Sequence, residues 1–215
     1  MLDIVVLISG NGSNLQAIID NVHADDNVDA RIVAVISNQA QAYGLQRAQQ
    51  AGIETHVIEN SRYTTRNDYD NALQDVILSL NPQLLVLAGF MRILSDDFVN
   101  HFSGRLINIH PSLLPKYTGL NTHQRVIDAG ETHHGASVHF VIPELDAGPL
   151  ILQAEIPIHD YDTAAELAQR VHTQEHIIYP LAIQWFAEGR IKMHQGKTFK
   201  DNKELKPEAA MLHSL

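Results

Sequence analysis

Asn108 and His110 stand two residues apart in the stretch Asn108-Ile109-His110-Pro111-Ser112-Leu113-Leu114-Pro115. They close an apolar run, and a β-strand sends residues i and i+2 to the same face. An amide donor and an acid/base group therefore share one side of a strand tip, with Ile107 and Ile109 on the other. Pro111 biases His110 toward an extended conformation and ends the strand. In parallel α/β sheets ligands bind at strand ends. The pair points to polar chemistry without fixing which reaction.

Three further segments carry chemical potential. Ser9-Gly10-Asn11-Gly12-Ser13-Asn14 follows an apolar run and opens a helical one. Its glycines let backbone N–H groups approach an anion. The dinucleotide fingerprint needs a third glycine where Leu15 stands. A single phosphate therefore suits the loop better than a dinucleotide, and an ordinary strand-to-helix turn suits it equally. Met91-Arg92-Ile93-Leu94, after Gly89-Phe90, is an apolar loop with one arginine. It would fit an aromatic ligand with an anionic tail, although Met91, Ile93 and Leu94 read at least as readily as core. Asp146 lies in Glu144-Leu145-Asp146-Ala147-Gly148-Pro149, where a carboxylate commonly serves the turn itself. If the fold brings it to His110, it becomes that imidazole's charge partner.

The chain has 13 histidines, and His133, His134 and His139 lie close together. On a regular strand His134 and His139 face opposite sides. No HExxH or comparable ligand set occurs, so no metal is expected.

The elements that must position these residues alternate. Apolar runs predict strands at Ile4–Ile8, Arg31–Ser37, Glu54–Glu59, Gln83–Ala88 and Leu106–His110. Helical spacing falls between them at Asn14–Val22, Tyr43–Ala51 and Thr65–Leu80, and Ser95 reads as an N-cap followed by Asp96 and Asp97. This alternation predicts an α/β fold with a Rossmann-like, doubly wound, mainly parallel central sheet. Further on, Gly135–Ile142 and Pro149–Ile158 read as neighbouring antiparallel strands, because the link is short. They form an antiparallel C-terminal extension. Thr163 to Ala187 reads as a long helix interrupted or bent near Pro180, Arg190–His194 as a last strand, and 196–215 as a poorly ordered tail. Residues 1–195 are read as one domain, with halves of about 1–100 and 101–195.

Composition narrows the classes. The 215 residues include 45 % apolar ones, as a globular core requires. Acidic residues outnumber basic ones, 25 to 15, giving a net charge of −10. That argues against nucleic acid or an anionic membrane as partner, while leaving room for a small anion in a locally basic pocket. Cysteine is absent, which removes disulfides, thiolate nucleophiles and cysteine-metal clusters. The N-terminus lacks the basic and long apolar regions of a signal peptide, and a cytoplasmic location is expected.

Taken in order, these motifs resemble the folate-dependent formyltransferases. The likeness runs from Ile4 to about His194. The Ser9–Asn14 loop, continued by Leu15 and Gln16, resembles the family's phosphate loop, and Ala88–Leu94 its folate-pocket segment. Asn108–Pro115 resembles the active-site signature. His134–His139 with Leu145–Pro149 resembles the third catalytic element, and Thr173-Gln174-Glu175-His176 a substrate-binding stretch. The resemblance implies a catalytic trio of Asn108, His110 and Asp146. It implies folate contacts from Arg66, Met91, Arg92, Ile93, Leu94, Asn108, Ile142, Pro143, Glu144, Leu145 and Asp146. Gly12, Ser13 and Asn14 would hold a ribose phosphate, and His172, Thr173, Gln174 and Glu175 the glycinamide end. The implied reaction moves the formyl group of 10-formyltetrahydrofolate to the amine of N1-(5-phospho-D-ribosyl)glycinamide in purine synthesis, without a metal, by a monomer or homodimer. Two positions depart from close relatives: His172 stands for glutamine and Thr118 for proline. Another folate-dependent formyltransferase, a formyltetrahydrofolate hydrolase, and a non-catalytic folate- or nucleotide-binding module are the competing readings.

Overall fold

The computed structural model describes residues 1–212. The chain forms two compact units, Met1–Asn108 and Ile109 onward.

The first unit alternates strand and helix as predicted: β1 (Leu2–Ile8), α1 (Ser13–Ile18), β2 (Ala30–Ser37), α2 (Tyr43–Gln50), β3 (Glu54–Val57), α3 (Arg66–Leu80), β4 (Leu84–Leu87), α4 (Asp96–His101) and β5 (Leu106–His110). The last two residues of β5 open the second unit. The strands run parallel in the order β5-β4-β1-β2-β3. Ile4–Ile8 and Leu84–Leu87 are buried throughout, as central strands of a parallel sheet are. Asn108 stands in register with Leu87. The Thr65 and Ser95 hydroxyls cap α3 and α4 by accepting from the Asp68 and Phe98 amides. Asn81, at φ 48°, ends α3 ahead of Pro82.

The second unit carries α5 (Thr122–Asp128), β6 (His133–Phe140), β7 (Leu150–Pro157), α6 (Ala164–Ala187), β8 (Ile191–His194), β9 (Lys197–Lys200), β10 (Lys203–Glu204) and β11 (Met211–Leu212). β6 and β7 are antiparallel, as their short link predicts. Gly148 closes that link so tightly that a Cβ there would lie 1.7 Å from the Phe140 carbonyl oxygen. Thr163 and Glu166 form a reciprocal capping box at the start of α6.

Two expectations change. Of an interruption or a bend near Pro180, the interruption is absent: α6 continues as helix through Pro180 to Ala187. Proline costs a helix about 3 kcal/mol, but Tyr179, Pro180, Ala182 and Ile183 are all buried there, and burial outweighs that local cost. The expected poorly ordered tail carries regular structure as far as Leu212. β8 and β9 form a hairpin around Gln195 and Gly196, at φ 50° and 71°. Both angles are the positive ones that a two-residue hairpin turn demands. The Lys200 ammonium sits 3.3 Å from the centroid of the Trp185 ring. β11 adds to the edge of β7, opposite Gln153 and Ala154. Residues 213–215 of the expected tail lie outside the described residues.

Candidate active site

In the second unit, His110 and Asp146 come together. His110 Nδ1 lies 3.4 Å from Asp146 Oδ2, with 7 % and 8 % of the two side chains exposed. Asp146 reaches this position from a left-handed turn residue, φ 52°. Its Oδ2 also accepts the Gly119 amide at 2.8 Å. The other imidazole nitrogen, Nε2, stands 2.9 Å from the Tyr117 carbonyl. A carbonyl only accepts, so Nε2 carries a proton and Nδ1 is the nitrogen turned toward the carboxylate. Asn108 precedes on the same strand, two residues back.

The loop after His110 is fixed by a buried polar network. Ser137 Oγ, on β6, donates to the Ser112 carbonyl at 2.6 Å and accepts from the Leu114 amide at 3.0 Å. Gln153 Nε2, on β7, donates to Ser137 Oγ at 2.7 Å and to the Leu114 carbonyl at 3.0 Å. Thr122 Oγ1, in α5, donates to the Pro111 carbonyl at 2.7 Å. Ser112, Thr122, Ser137 and Gln153 are nearly inaccessible to solvent, so their polar groups depend on one another.

In the first unit, the Ser9–Asn14 loop leads into α1. Gly12 has φ 75°, and a Cβ there would lie 2.7 Å from Gly44 Cα at the start of α2. The N-cap of α1 is Gly12, which has no side chain to offer the first-turn amides. Arg47 braces the loop, donating from Nε to the Asn11 carbonyl and from Nη2 to Asn11 Oδ1. Sequence reasoning missed Arg47. Its only signal was a cation on a helix following the second strand. Ser9 Oγ donates to Asn38 Oδ1 at 2.6 Å and accepts the Met91 amide at 2.8 Å, tying this loop to the next.

Met91 and Ile93 project outward, 70 % and 57 % exposed, whereas Leu94 is core. The Arg92 guanidinium lies 4.2 Å from the centroid of the Tyr69 ring, and its Nε is buried without a hydrogen-bond partner among the described residues. Arg66 is exposed at the first position of α3. In the second unit, Ile142 is half-buried, Pro143, Glu144 and Leu145 are exposed, and Leu145 is a large apolar side chain left 56 % in solvent. On α6 Glu175 is buried, Gln174 half-buried, and His172 and Thr173 exposed.

His134 and His139 behave as packing groups. β6 shifts register between Val138 and His139, so the regular alternation expected of His134 and His139 does not hold, and both are buried. Burial pushes each down to about 4, with the neighbouring His123 and His110 charges adding to the effect at His134. His134 Nε2 and His123 Nδ1 share a hydrogen bond of 3.0 Å. Among the described residues no group of three or more His, Cys, Asp or Glu is placed to hold a metal ion, and no helix is long and apolar enough to cross a membrane.

Comparison with known proteins gives this geometry a family. The Formyl transferase model matches residues 2–183, most of the chain and both units. The chain belongs to the formyl transferase family. Within it, the chain is 54 % identical over 207 residues to the phosphoribosylglycinamide formyltransferase of Escherichia coli, covering 96 % of this chain and 97 % of that one. It is 49 % identical over 205 residues to the enzyme of that name from Haemophilus influenzae, covering 95 % and 96 %. Among solved formyltransferases, that of Coxiella burnetii in complex with CHES superposes with a TM-score of 0.94 at 55 % identity, over 99 % of each chain. The family assignment agrees with the α/β fold and the parallel sheet read from the sequence.

Proposed function

We propose that this formyl transferase moves the formyl group of 10-formyltetrahydrofolate to the amine of N1-(5-phospho-D-ribosyl)glycinamide, in purine synthesis. The buried His110–Asp146 pair, with Asn108 two residues before His110 on β5, is the observation that carries the reading. The names of the relatives, nearly full-length matches at about half identity, support this acceptor.

The residues fit a folate. Met91 and Ile93 leave apolar surface in solvent that a flat ring system would cover, and the Arg92 Nε, without a partner among the described residues, offers a buried donor. Arg66, Met91 to Leu94, Asn108 and Ile142 to Asp146 would hold it. When bound, the folate supplies the formyl carbon. Gly12, Ser13 and Asn14 would hold the ribose phosphate, because Gly12's positive φ turns the chain at an N-cap position that carries no side chain over the following N–H groups. Glu175, with His172, Thr173 and Gln174, would face the glycinamide.

Asn108 Nδ2 and a ring N–H of His110 would be donors from one strand face. They would hold the carbonyl oxygen as it gains negative charge on addition of the amine. Preorganised donors of this kind contribute roughly 10²–10³ in rate. Asp146 would orient the ring and relay the amine's proton through water. No covalent enzyme intermediate is required. We place both units in a single formyltransferase domain, acting in the cytoplasm as a monomer or homodimer on these two small molecules.

The test is to incubate the protein with 10-formyltetrahydrofolate, with and without the glycinamide ribonucleotide, and to follow formyl-folate absorbance. Amine-dependent loss is the expected result. Loss without the amine would make the protein a hydrolase, and no loss a binding module.

A further inference from the structure

Tyr117 is held at both ends. Its carbonyl accepts from His110 Nε2 at 2.9 Å, and its hydroxyl donates to Glu131 Oε1 at 3.0 Å. Its backbone is left-handed, φ 56°, a conformation that is costly for a bulky side chain and persists only where the surroundings impose it. Those surroundings are on hand. Lys116 Nζ pairs with both Glu131 oxygens at 3.0 and 3.2 Å. Arg125 lies 5.5 Å from the Tyr117 ring centroid and donates to the Thr118 carbonyl at 2.6 Å. Two residues on, the Gly119 amide donates to Asp146. The 116–119 loop therefore touches both members of the acid/base pair through its backbone, and Glu131 anchors the loop through its side chains.

We propose that Glu131 is a positioning residue for formyl transfer, fixing the orientation of the His110 ring through Tyr117. The proposal rests on the reading of His110 as the acid/base group. Glu131 lies in the turn before β6 and makes its hydrogen bonds with Lys116 and Tyr117, not with His110 or Asp146. It lines a cavity of about 400 Å³ together with Lys116, Tyr117, His133, His134 and Glu155; His110 and Asp146 are not in the lining, so the carboxylate acts from behind Tyr117. The hydrogen bonds from Lys116 and Tyr117 hold the Glu131 carboxyl below the usual range, so it is an ionised acceptor at neutral pH. The logic is that of any histidine whose working nitrogen is chosen by the bond its other nitrogen makes. With the Tyr117 carbonyl fixed, Nε2 keeps its proton and Nδ1 faces Asp146. With it released, the ring loses that choice.

The experiment compares wild type with Glu131→Ala, Tyr117→Phe, their double variant and Glu131→Gln, whose amide oxygen still accepts from the Tyr117 hydroxyl. Loss of an orienting partner behind a working group typically costs about 10- to 100-fold in activity. Glu131→Ala and Tyr117→Phe should each lower kcat about tenfold or more, with KM for both substrates within about twofold of wild type. The double variant should be no worse than either single one, and Glu131→Gln should recover most of the loss. A second readout needs no turnover: long-range ¹H–¹⁵N spectra of histidine-labelled protein should show the His110 Nε2-bound proton in wild type and its loss or averaging in Glu131→Ala. Unchanged kcat with an unchanged His110 spectrum overturns the proposal. So do additive losses in the double variant, or a Glu131→Gln variant as impaired as Glu131→Ala. If wild type transfers no formyl group, the functional reading fails by itself, while the spectra still decide whether Glu131 orients the ring.

Discussion

Asp146 and His110 meet at 3.4 Å, carboxylate to Nδ1, with more than nine-tenths of each side chain withdrawn from solvent. At that depth a charge interacts far more strongly than at the surface. Asp146→Asn keeps an oxygen for the Gly119 amide but removes the charge facing the imidazole. The expected result is a kcat lower by about 10²-fold or more, the usual worth of a positioned acid or base. KM for the folate should change little. Steady-state kinetics with each substrate varied in turn checks this, and a KM effect with normal kcat would move Asp146 from chemistry to binding.

Gly12 makes the phosphate loop testable. Alanine there would carry a Cβ at φ 75° and 2.7 Å from Gly44 Cα, which displaces the loop. Wild type should bind the glycinamide ribonucleotide much more tightly than the same ribonucleoside without phosphate. Gly12→Ala should shrink that gap by weakening the nucleotide alone. Titration calorimetry with both compounds reads the difference, and equal wild-type affinities would remove the phosphate assignment.

Ser137 is the hub of the network that holds the loop after His110. Ser137→Ala leaves the Leu114 amide without its acceptor and the Gln153 amide with one acceptor fewer. A buried unsatisfied donor costs about 1–3 kcal/mol. Urea unfolding should report a loss of that size. The same variant should lower kcat if the loop's position matters to His110.

Acid should weaken the fold through His134 and His139. Folded, burial holds both at about 4; unfolded, they return to the ordinary 6.5. Between those values the unfolded chain takes up protons that the folded one refuses. Stability is therefore complete above pH 6.5, falls as pH drops through the window, and levels off below about 4. Each histidine contributes a slope of at most about 1.4 kcal/mol per pH unit. Urea midpoints at pH 7, 6 and 5 should decline in order, and a flat series would show that these rings charge in the folded state.

Much of this was legible in the residues. Short apolar runs alternating with helical spacing placed the parallel strands and their helices, because a central strand buried on both faces, such as Leu84–Leu87, reads as a continuous apolar run. Asn108 and His110 were legible because spacing along one strand settles which face two residues share. The His110–Asp146 distance was not, since 35 intervening positions must fold to bring them together. The hairpin at Gln195 and Gly196 was hidden by lysines, whose charge masks an alternation that Trp185 and Arg190 complete from outside the segment. Arg47 and Glu131 were invisible for a related reason. Each acts by bracing a loop elsewhere in the chain, and its own neighbourhood does not say which loop.

The two-residue strand β11 has a consequence at the level of the gene. A premature stop codon after Lys206 would spare every residue proposed for substrate or chemistry, yet it would strip the partner from the β7 edge at Gln153 and Ala154. A bare strand edge is a template for pairing with another molecule. Such an allele would show itself as insoluble protein rather than as an enzyme with altered kinetics.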